Sequence, residues 1–105
     1  MAAQTLATLN LEQMRTSAGA AAELLKTLAN RNRLLILCAL AEGESSVSDL
    51  NARVELSQSA LSQHLSVLRQ KGIVQTRREA QTIYYSLADS SALSVIRTLH
   101  EIYCP

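Results

Sequence analysis

Residues 56–72 read LSQSALSQHLSVLRQKG and put two kinds of side chain on opposite sides of one helix. Leu61, Leu65 and Leu68 recur at steps of three and four and line one side. Gln58, Ser59, Ser62, Gln63, Ser66 and Gln70 line the other. That second face is uncharged, yet dense in short hydrogen-bonding groups. Side chains of this kind match the donors and acceptors that base edges display in a DNA major groove, which admits one α-helix. An acidic face would be repelled by the phosphates. Taken alone, the helix also fits a plain solvated surface, because Ser and Gln are ordinary surface residues.

The neighbouring residues extend the first reading. Ser57 is placed to cap this helix, and the free N–H groups of its first turn can bind a phosphate. Gln58, Ser59, Ser62 and Gln63 lie in the N-terminal half, where a recognition helix meets bases. Arg69 and Lys71 are placed to contact the DNA backbone farther along. Arg77, Arg78, Gln81 and Thr82 surround the tip of a following hairpin, within reach of phosphate or an adjacent minor groove. His64 sits beside the leucines, so partial burial or a phosphate contact suits it better than a base contact. Charge follows the same pattern. Segment 53–78 holds Arg53, Arg69, Lys71, Arg77 and Arg78 against Glu55, a net +4, although the whole chain carries only +1. A basic patch on a near-neutral domain points to a polyanion.

Two cysteines are the other reactive groups. Cys38 and Cys104 form no C-x-x-C and no zinc-ribbon spacing, and in a reducing cytosol they would be free thiols. Cys38 lies in the apolar run LLILCALA and reads equally as a small core residue. Cys104 follows His100 by one helical turn, where an imidazolium would favour a thiolate; the negative end of the helix works against it. No base and nucleophile pair up for catalysis, so no enzyme is expected.

The elements that position these groups follow from periodicity and caps. Residues 1–9 read as a flexible tail. Leu11, Met14, Ala18, Ala21, Leu25 and Leu28 form a heptad-like stripe for a first helix. Asn30 caps a second helix, apolar on nearly every side and therefore central, ending at Gly43. Ser46 and Asp49 make a capping box for a short third helix with Val47 and Leu50 inward. The chain turns through Val54, Glu55 and Leu56 into the serine–glutamine helix, which Gly72 ends. IVQTRR and TIYYSL alternate as two strands, with Ile83, Tyr85 and Leu87 inward. Glu79-Ala80-Gln81 joins them without a turn-type signal. Asp89 caps a last helix to about Tyr103, which carries two apolar stripes: Leu93, Ile96, Leu99 and Tyr103, then Ala92, Val95 and Ile102. A short helix, a turn and an amphipathic helix make a helix-turn-helix. With the hairpin behind it, the fold is mainly α with a small β-hairpin: a winged helix-turn-helix of order α-α-α-α-β-β-α over residues 10–105.

Length and composition agree. The chain has 105 residues, 48% hydrophobic and 18% charged, enough for one globular domain. No apolar run reaches a membrane span and no secretory signal is visible, so no membrane contact and a cytoplasmic location are expected.

From Leu24 to Leu87 the sequence resembles the ArsR/SmtB family of bacterial winged-helix regulators. The resemblance is carried by LLKTLANRNRLLILCAL, SVSDL, LSQSALSQHLSVLRQKGIV and RREAQTIYYSL. It implies a repressor that leaves double-stranded operator DNA when an inducer binds. It also implies a homodimer built by the first and last helices, residues 10–28 and 89–103. Metal sites of that family are missing: SSVSDLNARV has no cysteine pair, and one Asp89 with one His100 does not close a tetrahedral site. No metal and no cofactor are expected. Cys38 and Cys104 with the ending IYCP look like the dithiol subgroup that includes HlyU, BigR, SqrR and YgaV. That likeness implies sensing of reactive sulfur species or oxidants through a disulfide or polysulfide bridge that weakens DNA binding. Two alternatives stay open: a metal-responsive repressor using Cys38, Cys104 and His100 across a dimer, and a winged-helix protein-interaction module that never touches DNA.

Overall fold

A computed structural model describes residues 9–105. Of the tail expected at 1–9, residues 1–8 lie outside the described residues, and Leu9 is exposed.

Among the described residues, five helices form where capping residues meet apolar periodicity. Helix α1 spans Leu11–Leu28, with the Asn10 side chain accepting from the Gln13 N–H at 3.1 Å. Helix α2 spans Arg31–Ala41, and the Asn30 side chain accepts from the N–H groups of Asn32 and Arg33. Helix α3 spans Val47–Val54, capped by Ser46, whose hydroxyl accepts from the Asp49 N–H at 3.1 Å. Helix α4 spans Gln58–Gln70, capped by Ser57. Helix α5 spans Ser90–Tyr103, capped by the Asp89 carboxylate. Each cap satisfies an N–H that the first turn leaves without an intrahelical partner.

The sheet departs from the expected two-stranded hairpin. Strands β2 (Val74–Glu79) and β3 (Thr82–Leu87) pair antiparallel, and a two-residue strand β1 (Ser45–Ser46) joins the other edge of β3, giving the order β1-β3-β2. Ser45 pairs with Tyr85 and Ser46 with Tyr84. Two residues carry no alternation signal, so only the partner strand defines β1.

The core gathers Leu28, Ile36, Leu37, Leu40, Leu50, Leu61, Leu65, Leu68, Ile73, Val74, Ala92 and Ile96. Helix α2 is central to it, but not covered all round: Leu35 is 40% exposed and Cys38 is half-buried. Ile83 also departs from expectation. It shares a sheet face with Tyr85 and Leu87, yet it is exposed, because the hairpin runs past the core. Strand alternation reports which face a residue takes, not how far along the strand the core extends.

Helix α1 is exposed on every side over residues 11–20. Leu11, Met14 and Leu25 stand in water, as do Ile102 and Tyr103 at the end of α5. The start of α5 is covered, through Ala92 and Ile96.

Candidate nucleic-acid interface and thiol cavity

The turn between α3 and α4 sets the angle of the serine–glutamine helix. Glu55 adopts the left-handed region at φ 55°, ψ 43°, reversing the chain after Val54. The Asn51 side-chain amide donates to the Leu56 carbonyl at 2.8 Å and holds the turn closed. Leu61, Leu65 and Leu68 are each no more than 2% exposed, so α4 cannot rotate about its axis without uncovering all three. Burial of three leucines contributes roughly 1.5–3 kcal/mol apiece to that anchoring. The opposite face, with Gln58, Ser59, Ser62, Gln63, Ser66 and Gln70, is exposed, while His64 is half-buried. Gly72, at φ +73°, ends the helix, and the Ile73 N–H turns back to the Leu68 carbonyl at 2.9 Å.

The wing approaches the same helix. Glu79 pairs with Thr82, leaving Ala80 and Gln81 as a two-residue turn. Ala80 takes φ +56° and Gln81 does not share the positive sign, a pattern of type II′. An open cleft of about 650 Å³ is lined by Gln58 and Ser62 from α4 and by Gln81, Thr82 and Ile83 from the wing. Four of the residues expected from the sequence to contact DNA, Gln58, Ser62, Gln81 and Thr82, therefore meet in one cleft.

The cations differ among themselves. Arg69 and Arg78 are exposed and form no ion pair among the described residues. Lys71 makes one surface pair, its Nζ 3.0 Å from Glu23 Oε1, which holds the Glu23 carboxyl below its ordinary range. Arg77 is engaged more fully. Its Nε and Nη2 donate to Glu44 at 3.1 and 2.7 Å, its Nη1 donates to Glu79 at 2.9 Å, and its guanidinium lies 4.6 Å from the Tyr84 ring centroid. Those bonds hold the Glu44 carboxyl below its ordinary range and raise the affinity of Arg77 for its proton. Arg77, expected from the sequence beside phosphate or the minor groove, is thus paired within the chain here. Glu44 escaped the sequence reading because it lies 33 residues from Arg77 and has no local pattern.

The two cysteines, 66 positions apart in sequence, line one cavity of about 270 Å³ between α2 and α5. Leu34, Leu35, Ile96, Leu99, His100 and Tyr103 complete its wall. Both thiols are free; Cys38 is half-buried and Cys104 exposed. Burial pushes the Cys38 thiol up from its ordinary value, and the nearby Cys104 and Glu42 push in the same direction. Cys104 also ends α5, its N–H donating to the His100 carbonyl at 2.7 Å. Among the described residues, no group of three or more His, Cys, Asp or Glu is arranged to hold a metal ion, and no helix is long and apolar enough to cross a membrane.

Comparison with known proteins places this architecture. Residues 30–76 match the model of a bacterial regulatory protein family, the arsR family. The transcriptional activator HlyU of Vibrio cholerae is 50% identical over 98 residues, which cover 93% of this chain and 91% of that protein. A structure of reduced HlyU from the same species superposes with a TM-score of 0.84, covering 90% of this chain and all of that one. The biofilm growth-associated repressor of Agrobacterium fabrum is 49% identical over 90% of this chain and 80% of its own length. The crystal structure of the transcriptional repressor BigR from Xylella fastidiosa reaches a TM-score of 0.88 at 41% identity, over 92% of this chain and 99% of that one. These relatives are named as transcriptional regulators and not as enzymes. With a winged helix-turn-helix, an exposed serine–glutamine face and relatives of this identity along nearly its whole length, the chain belongs to the arsR family of bacterial regulatory proteins.

Proposed function

We propose that the chain is a sequence-specific, homodimeric repressor whose hold on operator DNA is released when Cys38 and Cys104 are bridged. Gln58, Ser59, Ser62 and Gln63 read base edges. Ser57, Arg69, Lys71 and Arg78 hold phosphates, Gln81 and Thr82 reach the backbone or minor groove beside the wing, and His64 supports α4 from its flank. Lys71 exchanges Glu23 for a phosphate at little cost, since the pair is single and half exposed. Such a protein works in the cytoplasm, where the chromosome lies.

Two features support the dimer. Leu11, Met14 and Leu25 on α1, with Ile102 and Tyr103 on α5, leave apolar surface that one subunit does not cover. A symmetric pair also presents α4 twice, as half-sites roughly 34–36 Å apart require.

The single observation that carries the switch is the shared cavity of Cys38 and Cys104. Cys104 is the exposed thiol and reacts first; Cys38, half-buried and harder to ionise, resolves. With a peroxide, the two thiols lose two electrons and two protons, and the peroxide is reduced to water or an alcohol and water. With a persulfide, Cys104 takes the outer sulfur and releases the carrier thiol. Cys38 then attacks the inner sulfur and expels hydrosulfide. Both routes give the same disulfide, which ties α2 to the end of α5. Because α5 belongs to the proposed dimer interface, the tie rotates the two α4 helices out of register with one face of the duplex.

The test is a titration of duplex DNA before and after exposure to persulfide or peroxide. The wild-type protein weakens by about 5- to 150-fold, the usual range of allosteric coupling. Cys38→Ser and Cys104→Ser keep their affinity. Undiminished release in both variants excludes the dithiol switch, whereas stoichiometric zinc uptake with loss of DNA binding would favour a metal-responsive repressor.

A further inference from the structure

The outer part of the wing has no core beneath it. Residues 77–83 are all exposed, and a two-stranded ribbon is marginally stable on its own in water. Its angle to α4 therefore depends on something other than apolar burial. Arg77 on β2 stands in register with Tyr84 on β3, and Tyr84 with Ser46 on β1. Glu44 lies just before β1. The Arg77 fork on Glu44, at 2.7 and 3.1 Å, passes over the Tyr84 ring and so crosses all three strands. The third bond, to Glu79 at 2.9 Å, fixes the guanidinium from the wing side.

The charge of this cluster matters as much as its geometry. Two carboxylates against one guanidinium leave a net −1, so an arriving phosphate is repelled there. By strand alternation Arg77 and Tyr84 project from the sheet face opposite to Arg78, Ile83 and Tyr85. The face of Tyr85 and Leu87 is the one that packs on the core. Arg78 thus shares the face of Ile83 and Tyr85, away from the two carboxylates, exposed and without an ion pair among the described residues.

We propose that Arg77 is a positioning residue and not a phosphate ligand: anchored on Glu44, it straps the three strands and fixes the wing against α4, which leaves Arg78 as the phosphate-binding cation of the wing. The assignment rests on the DNA-reading function proposed above.

The experiment uses the full chain and a duplex enriched from a random-sequence library by the wild-type protein, titrated across a salt series. If no duplex is enriched, the DNA reading falls and this assignment with it; the variants test the assignment alone. Each phosphate contact contributes about −0.9 to the slope of log K against log salt. Arg78→Gln flattens that slope by about 1.8 per dimer. Arg77→Gln lowers affinity about fivefold with the slope unchanged, the fold-change of roughly one net hydrogen bond. Glu44→Gln gives the opposed sign: it weakens binding severalfold, although removing a negative charge by itself favours a polyanion. Hydrogen exchange over 76–84 quickens in Arg77→Gln and Glu44→Gln and not in Arg78→Gln. Arg77→Glu combined with Glu44→Arg and Glu79→Gln regains affinity over Arg77→Glu with Glu79→Gln. A flattened slope in Arg77→Gln, or tighter binding in Glu44→Gln, overturns the assignment.

Discussion

Gly43, Glu55, Gly72 and Ala80 all take positive φ, at the turns before β1, before α4, after α4 and at the wing tip. The cavity between α2 and α5, which holds Cys38 and Cys104, is built without such a residue among those described. One region is aimed by turns: the backbone reverses before β1, before α4, after α4 and at the wing tip. The other is made by two helices lying side by side. The first displays polar groups on turns and a leucine-anchored helix; the second places two thiols on two different helices. The switch proposed above needs that division: a reader held in place, and a hinge that the thiol bridge shifts.

The largest effect that sharpens this contrast comes from charge on the reader. Ser62→Glu puts a carboxylate beside Gln58 in the cleft that is meant to meet DNA. Duplex affinity falls by about 100-fold or more, because like charge in a docked interface costs several kcal/mol. Thermal unfolding stays within a few degrees, since Ser62 is exposed and makes no buried contact. Anisotropy titration with calorimetry checks both halves. A fall in affinity that tracks a lost fold would erase the distinction between reader and scaffold.

A smaller effect belongs to the hinge. Alkylation by iodoacetamide, followed by mass spectrometry across pH, modifies Cys104 about tenfold faster than Cys38 at neutral pH. The Cys38 profile is displaced to higher pH, because burial disfavours its thiolate. The sign for stability follows by linkage. The raised thiol costs nothing while both folded and unfolded chains keep the proton. It erodes stability as pH climbs from the ordinary thiol range through the raised value. Equal rates and equal midpoints would remove the assignment of Cys104 as the first thiol to react.

The smallest effect tests whether the turns set the reader. Glu55→Gly relieves a side chain from the left-handed region, where an L residue other than glycine is held at a cost of about 1–2 kcal/mol. Greater freedom of the unfolded glycine offsets part of that gain. The net stabilisation in urea unfolding is about 0.5–1 kcal/mol, with DNA affinity unchanged. A destabilised variant would mean that the Glu55 side chain, and not its backbone, supports the turn.

The two regions also differ in how far the sequence discloses them. The reader was legible because it is local. Asn30, Ser46, Ser57 and Asp89 all cap the helices expected of them, and the leucine stripe of α4 is buried as its spacing requires. What escaped was set by partners distant in the chain. Strand β1 exists only because β3 lies alongside it, and Arg77 is engaged by Glu44 from the segment just before that strand. The exposure of Ile83 depends on where the core ends, which alternation does not encode. The meeting of Cys38 and Cys104 needs the packing of α2 on α5; the sequence offered it only through likeness to a family.

Base reading by α4 is tested most directly by Gln58→Ala combined with Gln63→Ala. Affinity is measured at one salt concentration for the enriched duplex and for a scrambled duplex of the same composition. The enriched duplex loses about 10- to 100-fold while the scrambled one is held as before, since each lost bidentate base contact removes roughly 1–3 kcal/mol of discrimination. Unchanged binding of both duplexes, or an equal loss on both, would contradict a groove-reading helix.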